Sequence, residues 1–312
     1  MTSLLSPLAL AASHGRALLV AGLLAGIALP GLALAMKPWL QELVALLLFL
    51  AALRIGPRQA IGAVRDLRVT AGLALLFQMV MPVTVIFVLM MGGWQHSQFA
   101  MALVLMLSAS SISGSPNLTI MTGHDPAPAL RLLILGTAIL PVTVLVPFWL
   151  LPNLGSAADV FVAAARLLGV IAIAAGLAFL IRGFLLRQPS LETVRALDGV
   201  SAIAMAIVVI GLMSAVGPAI VGTPLRFLSW LLVACAANLG LQFVTARVLK
   251  TTSLRDDYAA YAIVAGNRNI ALFLVALPAS VTDPLLLFIG CYQIPMYLTP
   301  ILMRQIYGTG RS

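Results

Sequence analysis

The sequence is a succession of apolar runs, most of them long enough to cross a lipid bilayer as a helix. A transmembrane helix takes about 20 residues. A chain of 312 residues therefore has room for about ten spans and their short connections. The runs are divided mainly by proline, glycine and charged residues. They lie at residues 17–35, 38–53, 69–91, 99–121, 128–150, 160–181, 200–219, 225–244, 259–278 and 284–303.

Composition and charge exclude a soluble protein. Hydrophobic residues make up 62% of the chain and charged residues 9%, whereas soluble domains average about 45–50% apolar and about 25% charged residues. Fourteen of the 18 Lys and Arg residues fall in the N-terminus, the even-numbered loops and the C-terminus of the ten-span topology. Because basic loops stay in the cytoplasm, we expect a multi-pass protein of a bacterial inner membrane with both termini cytoplasmic. The net charge of +9 then orients the protein in the lipid bilayer, and we expect no nucleic-acid partner.

One charged residue, Arg268, stands near the middle of a membrane-length run. This run extends from Tyr261 to Pro278 and reads YAIVAGNRNIALFLVALP. An arginine at the bilayer centre costs about 2.5–3.5 kcal/mol on insertion scales, so Arg268 is expected to face the protein interior or an aqueous cavity. The alternative is snorkelling to an interface, which the distance of Arg268 from both ends of the run disfavours.

A short motif occurs once in each half of the chain. Residues 113–117 read Ser-Gly-Ser-Pro-Asn and residues 265–269 read Ala-Gly-Asn-Arg-Asn, so both contain Gly-x-x-Asn about half the chain length apart. With five spans in each half, the halves insert in opposite orientations, which is the inverted-repeat arrangement of many secondary transporters. We therefore predict a single transmembrane domain, residues 1–312, built from two five-helix repeats at about 17–151 and 157–308.

Both motifs are expected to interrupt their helices. Pro116 removes a backbone donor and clashes with the preceding turn, and Gly114 lowers the cost of unusual dihedral angles. A broken helix presents carbonyls from its first half, which attract cations, and amides from its second half, which attract anions. At the second motif we expect Arg268 to lie against such carbonyls while its planar guanidinium is offered to an anion. A serine- and glycine-rich packing face is the alternative for the first motif.

The distribution of titratable residues argues against an enzyme. All nine acidic residues fall at span ends or in loops, and His14, His96 and His124 lie outside the span centres. A serine nucleophile at Ser113 or Ser115 would therefore lack a base, and the sequence has no His-Glu-x-x-His metal motif. We expect neither catalytic residues nor an organic cofactor.

Four segments of the chain resemble the bile acid:sodium symporter family. They are Leu29-Pro30, residues 78–82 (Gln-Met-Val-Met-Pro), residues 113–117 followed by Gly123-His124-Asp125, and residues 266–269 (Gly-Asn-Arg-Asn). The resemblance implies ten helices in two inverted repeats, with helices four and nine broken and crossing. It also implies a panel of helices one, two, six and seven beside a core of the others. A bile-acid-like anion or a small carboxylate would bind between panel and core near the crossing, with two sodium ions behind it.

The chain departs from the family pattern at positions where relatives bind sodium. Val264 stands where relatives have an acidic ligand, and Arg268 stands where they have a glutamine. Phe77 aligns with a third-helix glutamine and is followed by Gln78, while Pro116 replaces a small residue such as serine. We therefore expect the guanidinium of Arg268 to occupy the region of the missing sodium. A competing interpretation is that Arg268 binds the substrate anion directly.

At other positions the chain agrees better with the pattern of the resembled family. Asn117, Gly266 and Asn269 match the pattern, and Gln293 stands where many relatives have a histidine near the cavity. The predicted substrate-binding residues are Arg268, Asn269, Asn117, Ser113, Ser115 and Gln293. The predicted ion-site region comprises Asn117, Pro116, Val264, Gly266, Asn267, Arg268 and Gln78.

These residues favour a secondary transporter of a small organic anion that works by alternating access, with altered or absent sodium coupling. A ligand-binding membrane receptor that does not transport, built on the same fold, is the alternative function, and a structural membrane subunit is a third. The sequence leaves open the identity of the substrate, the coupling ion, the direction of transport and the oligomeric state.

Overall fold

The computed structural model describes residues 2–62, 67–187 and 189–308, and nearly all of them are helical. In chain order the α-helices are α1 (Thr2–Ser13), α2 (Gly15–Ala28), α3 (Pro30–Met36), α4 (Leu40–Gly62), α5 (Leu67–Leu75), α6 (Met81–Met91), α7 (Gln98–Ser108), α8 (Ser115–Met121), α9 (Ala127–Thr143), α10 (Leu145–Trp149), α11 (Ala157–Phe184), α12 (Leu191–Leu212), α13 (Val216–Gly222), α14 (Pro224–Leu249), α15 (Tyr258–Gly266), α16 (Phe273–Ala276), α17 (Ala279–Thr282), α18 (Leu286–Leu302) and α19 (Arg304–Tyr307). Short 3-10 turns and one π-helical turn, Leu76–Val80, connect several of them.

Seven helical stretches among the described residues are long and apolar enough to cross a membrane. They are Pro30–Pro57, Leu67–Met91, Ala127–Trp149, Ala157–Phe184, Leu191–Gly222, Pro224–Leu249 and Ala279–Leu302. An eighth is obtained if two helices near the N-terminus, Pro7–Ser13 and Ala17–Ala28, are counted as one span bent by 83°. The prediction of an all-α polytopic membrane protein is confirmed.

The predicted spans at residues 99–121 and 259–278 are absent from that set because each one is interrupted. The first consists of α7 and α8, and the second consists of α15, a 3-10 turn and α16. The total of ten spans and the inverted relation of the two halves stay predictions.

The predicted boundary between the first two spans, at Lys37-Pro38, is wrong. Helix α2 ends at Ala28, and a new helix begins at Pro30 and continues through a 3-10 turn at Lys37–Trp39 into α4. Proline suits the first turn of a helix because the amide it lacks would be unpaired there anyway. Leu29-Pro30 therefore starts the second membrane-length stretch.

The chain separates into two compact units, each assembled from two separate stretches. One contains the residues up to Ile61 together with Gly169–Phe227, and the other contains Gly62–Leu168 together with the residues from Leu228 onward. Each unit therefore draws on both predicted repeats.

In the first unit, α1 and α2 pack along α12 through small residues. A Cβ atom added at Gly22 would lie 2.7 Å from the carbonyl oxygen of Ala206, which is too close for any real side chain. Small residues at such crossings let helix backbones approach closely, and van der Waals packing replaces the hydrophobic effect as the source of helix association in lipid.

In the second unit, two apolar clusters surround α15. One cluster is formed with α5 and α9 by Leu73, Ala74, Phe77, Ala129, Leu132, Leu249, Ala260, Tyr261, Val264 and Ala265. The other is formed by Leu118, Ala246, Ala259, Ala262, Ile263, Met303 and Tyr307. Burial on these faces holds α15 in place up to the residue at which it ends.

We predict that Gly22→Val destabilises the protein by about 1–3 kcal/mol, because the new side chain would collide with the backbone of α12. The measurement is thermal unfolding of the purified protein in detergent. Gly176→Val is the matched control, because a Cβ at Gly176 meets no atom within 4 Å. An equal loss of stability in both variants would contradict the prediction.

Candidate functional site

Helices four and nine of the predicted topology are both broken, as the motifs predict. Helix α7 ends at Ser108, Ala109 is extended, and α8 begins at Ser115 with Pro116 in its first turn. Helix α15 ends at Gly266 and is followed by non-helical residues before the 3-10 turn Ile270–Leu272. Each break leaves backbone amides and carbonyls that need partners away from water.

The two breaks satisfy part of this need by pairing with each other. Ser111 and Arg268 form an isolated antiparallel β-bridge. The amide of Asn269 donates to the carbonyl of Ser110 (2.8 Å), and the amide of Ile112 donates to the carbonyl of Asn267 (3.1 Å). These bonds place the two motifs side by side.

The side chain of Arg268 is buried beside this bridge, with 1% of its surface exposed. Its Nε donates to the carbonyl of Ala265 (2.9 Å), one Nη donates to that of Ala109 (3.0 Å), and the other donates to that of Phe77 (3.3 Å). The guanidinium carbon also lies 5.0 Å from the centre of the Phe77 ring. Arg268 therefore faces the protein interior and does not snorkel.

No carboxylate among the described residues pairs with Arg268. A buried charge without a partner costs several kcal/mol. Two of its three carbonyl partners lie at helix C-termini, Ala265 in the last turn of α15 and Ala109 at the end of α7. Each helix C-terminus carries about half a negative charge, so the two ends together offset about one positive charge.

The third partner lies in the π-helical turn Leu76–Val80. Such a turn disturbs the regular hydrogen-bond ladder of a helix and occurs frequently at functional sites. The carbonyl of Phe77, which lies within this turn, accepts from Arg268. Three separate interruptions of helical structure thus supply the three acceptors of one guanidinium.

Of the four positions at which the chain differs from the family it resembles, the structure connects three, namely Phe77, Val264 and Arg268. Phe77 contributes both a carbonyl and a ring face to Arg268. Val264 belongs to the same apolar cluster as Phe77 and Ala265. Among the described residues, no group of three His, Cys, Asp or Glu side chains is arranged to hold a metal ion.

Three other predicted residues are buried and bonded within the protein. The hydroxyl of Ser115 accepts from that of Ser111 (2.7 Å). The Gln293 amide donates to the carbonyl of Ile289 (3.1 Å), and the Gln78 carbonyl oxygen accepts from the Thr143 hydroxyl (2.9 Å). These groups support the helices around the breaks.

Asn267 is also buried, and its amide nitrogen donates to the carbonyl of Ile263 (2.8 Å). Three other predicted polar residues have accessible surface. Asn117 is exposed, while Ser113 and Asn269 are half-buried. Within the described part of the chain, none of these three side chains forms a hydrogen bond with another residue. Their amide and hydroxyl groups are available to a ligand, whereas Pro116 is buried.

Sequence reasoning missed several polar residues that hold the second break. Asn238 of α14 donates to the carbonyl of Gly266 (2.6 Å), and so does the hydroxyl of Tyr292 in α18. The Tyr292 hydroxyl also accepts from the backbone amide of Arg268 (3.3 Å). The available signal was the pair Asn238 and Gln242, four residues apart and therefore on one face of an apolar helix.

The chain matches no family model, and no curated protein matches it. What the site does is therefore inferred from its own residues and geometry.

We predict that Gly266→Ala destabilises the second break by about 1–3 kcal/mol. A Cβ at Gly266 would collide with the backbone oxygen of Asn238 and with the side chain of Gln242. Gly114→Ala is the matched control from the first break, because its nearest contact would be an ordinary 3.7 Å from Ile112. Thermal unfolding of both variants tests the prediction, and a larger effect at Gly114 would contradict it.

Proposed function

We propose that the protein is a secondary transporter of an organic anion, either bile-acid-like or a small carboxylate, that works by alternating access. In this proposal the guanidinium of Arg268 takes the place of a dissociable sodium ion. The observation that carries the proposal is the set of three backbone carbonyls that converge on a buried guanidinium beside two paired helix breaks. From the distribution of basic residues we also propose a bacterial inner-membrane location with cytoplasmic termini.

Convergent carbonyls at helix breaks are the groups that coordinate sodium in transporters with inverted repeats. Here the oxygens of Ala265, Ala109 and Phe77 already have a cation, because Arg268 donates to all three. A guanidinium carries the same unit charge as sodium and is always protonated in proteins. Since it is tethered to the backbone, it cannot leave when the substrate leaves, and a sodium gradient would not drive the cycle.

The apolar neighbours of Arg268 support the same interpretation. Val264 and Phe77 occupy the positions at which the resembled family has sodium-site oxygen ligands, and both pack in one apolar cluster. A carboxylate there would be needed to balance sodium ions, whereas the helix ends balance the single charge of Arg268. Three of the four departures from the pattern of the resembled family, at Phe77, Val264 and Arg268, are therefore consistent with a single replacement of sodium by the guanidinium.

The anion would be recognised by groups other than the guanidinium. Asn117, Asn269 and Ser113 have accessible surface and no side-chain partner among the described residues. Arg268, with 1% exposure, would act on the anion through its electrostatic potential. The competing interpretation, direct binding by Arg268, requires its two remaining N–H groups to reach the ligand.

We predict that counterflow in proteoliposomes is independent of sodium. The probes are labelled taurocholate, for bile-acid-like anions, and labelled pyruvate, for small carboxylates. Exchange should proceed at the same rate in sodium chloride and in choline chloride, because the site already contains its cation. A strict sodium requirement would contradict the fixed-cation mechanism. Binding of a probe without exchange would instead favour the receptor alternative.

We predict that Arg268→Gln lowers exchange at least about tenfold, because three buried carbonyls lose their donor. Adding Phe77→Gln and Val264→Glu to this variant should restore exchange in a sodium-dependent form, since the new oxygen ligands would hold a sodium ion in place of the guanidinium. Arg268→Lys is the control that keeps the charge but loses the planar fork. Size-exclusion profiles check that each variant is folded. An Arg268→Gln variant that keeps its maximal rate but loses affinity for the probe would favour direct anion binding.

A further inference from the structure

Three hydrogen bonds made by side chains join the last described helix, α19, to distant residues of its unit. The hydroxyl of Tyr307, which is 3% exposed, donates to the side-chain carbonyl of Gln242 (2.7 Å). The backbone carbonyl of Tyr307 accepts from the hydroxyl of Tyr258 (2.8 Å). The ammonium group of Lys250 donates to the carbonyl of Ile306 (2.9 Å). Only the first of these bonds leads into the buried interior of the unit.

From Gln242 the hydrogen bonds continue to the break after α15. The Gln242 amide nitrogen donates to Asn238 Oδ1 (2.8 Å) and to the hydroxyl of Thr299 (3.1 Å). The Asn238 amide nitrogen donates to the carbonyl of Gly266 (2.6 Å) and to Asn267 Oδ1 (3.2 Å). Gln242, Asn238, Asn267 and Thr299 are all fully buried. We call the series Tyr307, Gln242 and Asn238 the C-terminal network.

The carbonyl of Gly266 determines which group donates and which accepts in every hydrogen bond of the C-terminal network. The carbonyl of Gly266 can only accept, so Asn238 must turn its amide nitrogen towards it. Asn238 Oδ1 then faces Gln242, which must in turn present its own amide nitrogen. This leaves the Gln242 oxygen facing Tyr307, whose hydroxyl has to donate. The Tyr307 proton is therefore the terminal donor on which the orientation of both amides depends.

We propose that Tyr307 is a positioning residue for the helix break that carries Arg268. Through Gln242 and Asn238, its hydroxyl holds the carbonyl of Gly266 and the side chain of Asn267, which immediately precede Arg268. Without that hydroxyl, the Gln242 oxygen is a buried acceptor with no donor, and the amide is released to rotate. In a low-dielectric interior such a change is transmitted along a connected network. The peptide that presents Arg268 to the carbonyls of Ala109 and Phe77 then loses one of its supports.

The chain contains a matched control for this proposal. Tyr258 is a half-buried tyrosine near Tyr307, and its hydroxyl forms a hydrogen bond of similar length (2.8 Å). That bond ends on the backbone of Tyr307 and does not enter the C-terminal network. Tyr258→Phe and Tyr307→Phe therefore remove the same atom from neighbouring positions, but only the second variant removes the terminal donor.

The test is hydrogen–deuterium exchange, followed by mass spectrometry, on the full-length protein in detergent. We expect Tyr307→Phe to speed exchange of the amides at residues 263–272 at least about tenfold, while α9 keeps its protection. Tyr258→Phe should leave residues 263–272 unchanged. The proposal is overturned if Tyr307→Phe leaves this segment unchanged, if exchange rises equally throughout the unit, or if Tyr258→Phe has the same local effect.

A second pair of variants tests whether Tyr307 acts on the helix break through Gln242 or whether the two residues act independently. Gln242→Leu removes the middle of the C-terminal network, and we expect it to speed exchange at residues 263–272 at least as much as Tyr307→Phe. In the Gln242→Leu background, Tyr307→Phe should add no further increase there, because the hydroxyl no longer has a route to the break. Additive effects would overturn the proposal. Gln242→Leu also provides the local readout by itself if Tyr307→Phe does not yield folded protein.

A transport measurement on the same variants rests on the proposed function, whereas the hydrogen–deuterium exchange experiment does not. With labelled taurocholate as the probe, Tyr307→Phe should raise the KM for counterflow transport with little change in its maximal rate. Tyr258→Phe should change neither quantity. If wild-type protein exchanges no probe, the proposed function fails while the hydrogen-exchange result still decides the role of Tyr307. If transport is present and only its maximal rate falls in Tyr307→Phe, the positioning role is refuted.

Discussion

The interaction on which the second unit depends is the contact between one guanidinium and three backbone carbonyls. Arg268 is almost completely buried, and it pairs with no carboxylate of the described residues. Its charge is offset by the negative ends of α7 and α15 and by an acceptor in a π-helical turn. Neither helix could continue through this point and still present those carbonyls. The breaks and the buried cation therefore require each other.

A cation that is part of the chain differs from a bound ion in its consequences for a transport cycle. A sodium ion couples a transport cycle to the sodium gradient because it binds on one side of the membrane and leaves on the other. In the proposed cycle the Arg268 guanidinium would do neither, so it would set the potential felt by an anion without coupling to a gradient. Accessible amide and hydroxyl groups at Asn117, Asn269 and Ser113 would then make the contacts to the substrate. This division of roles is what links the geometry to the proposed function.

Sequence patterns anticipated the local features well and the long-range ones poorly. Proline, glycine and polar residues in apolar runs predicted that both helices break, and the second break does follow Gly266. The first was predicted near Gly114–Pro116 but lies at residues 109–114, because Pro116 suits the first turn of α8. The boundary at Lys37-Pro38 was wrong, because Pro30 starts a helix that runs through that point. Asn238 and Gln242 were overlooked because a polar residue in an apolar helix does not reveal its partner. The Tyr307 hydroxyl bonds to a residue 65 positions away, and no spacing rule covers such a contact.

The sequence by itself determined that the chain spans a membrane, that two of its helices break, and that Arg268 could not face lipid. These conclusions follow from local physical chemistry, namely the cost of a charge in hydrocarbon and the effect of proline and glycine on a helix. Only the tertiary structure decided which groups accept hydrogen bonds from the Arg268 guanidinium. Every residue has a carbonyl, and nothing in the sequence marks those of Ala109 and Phe77, which are 159 and 191 positions from Arg268. They become acceptors because packing brings two helix ends and a π-helical turn to one point.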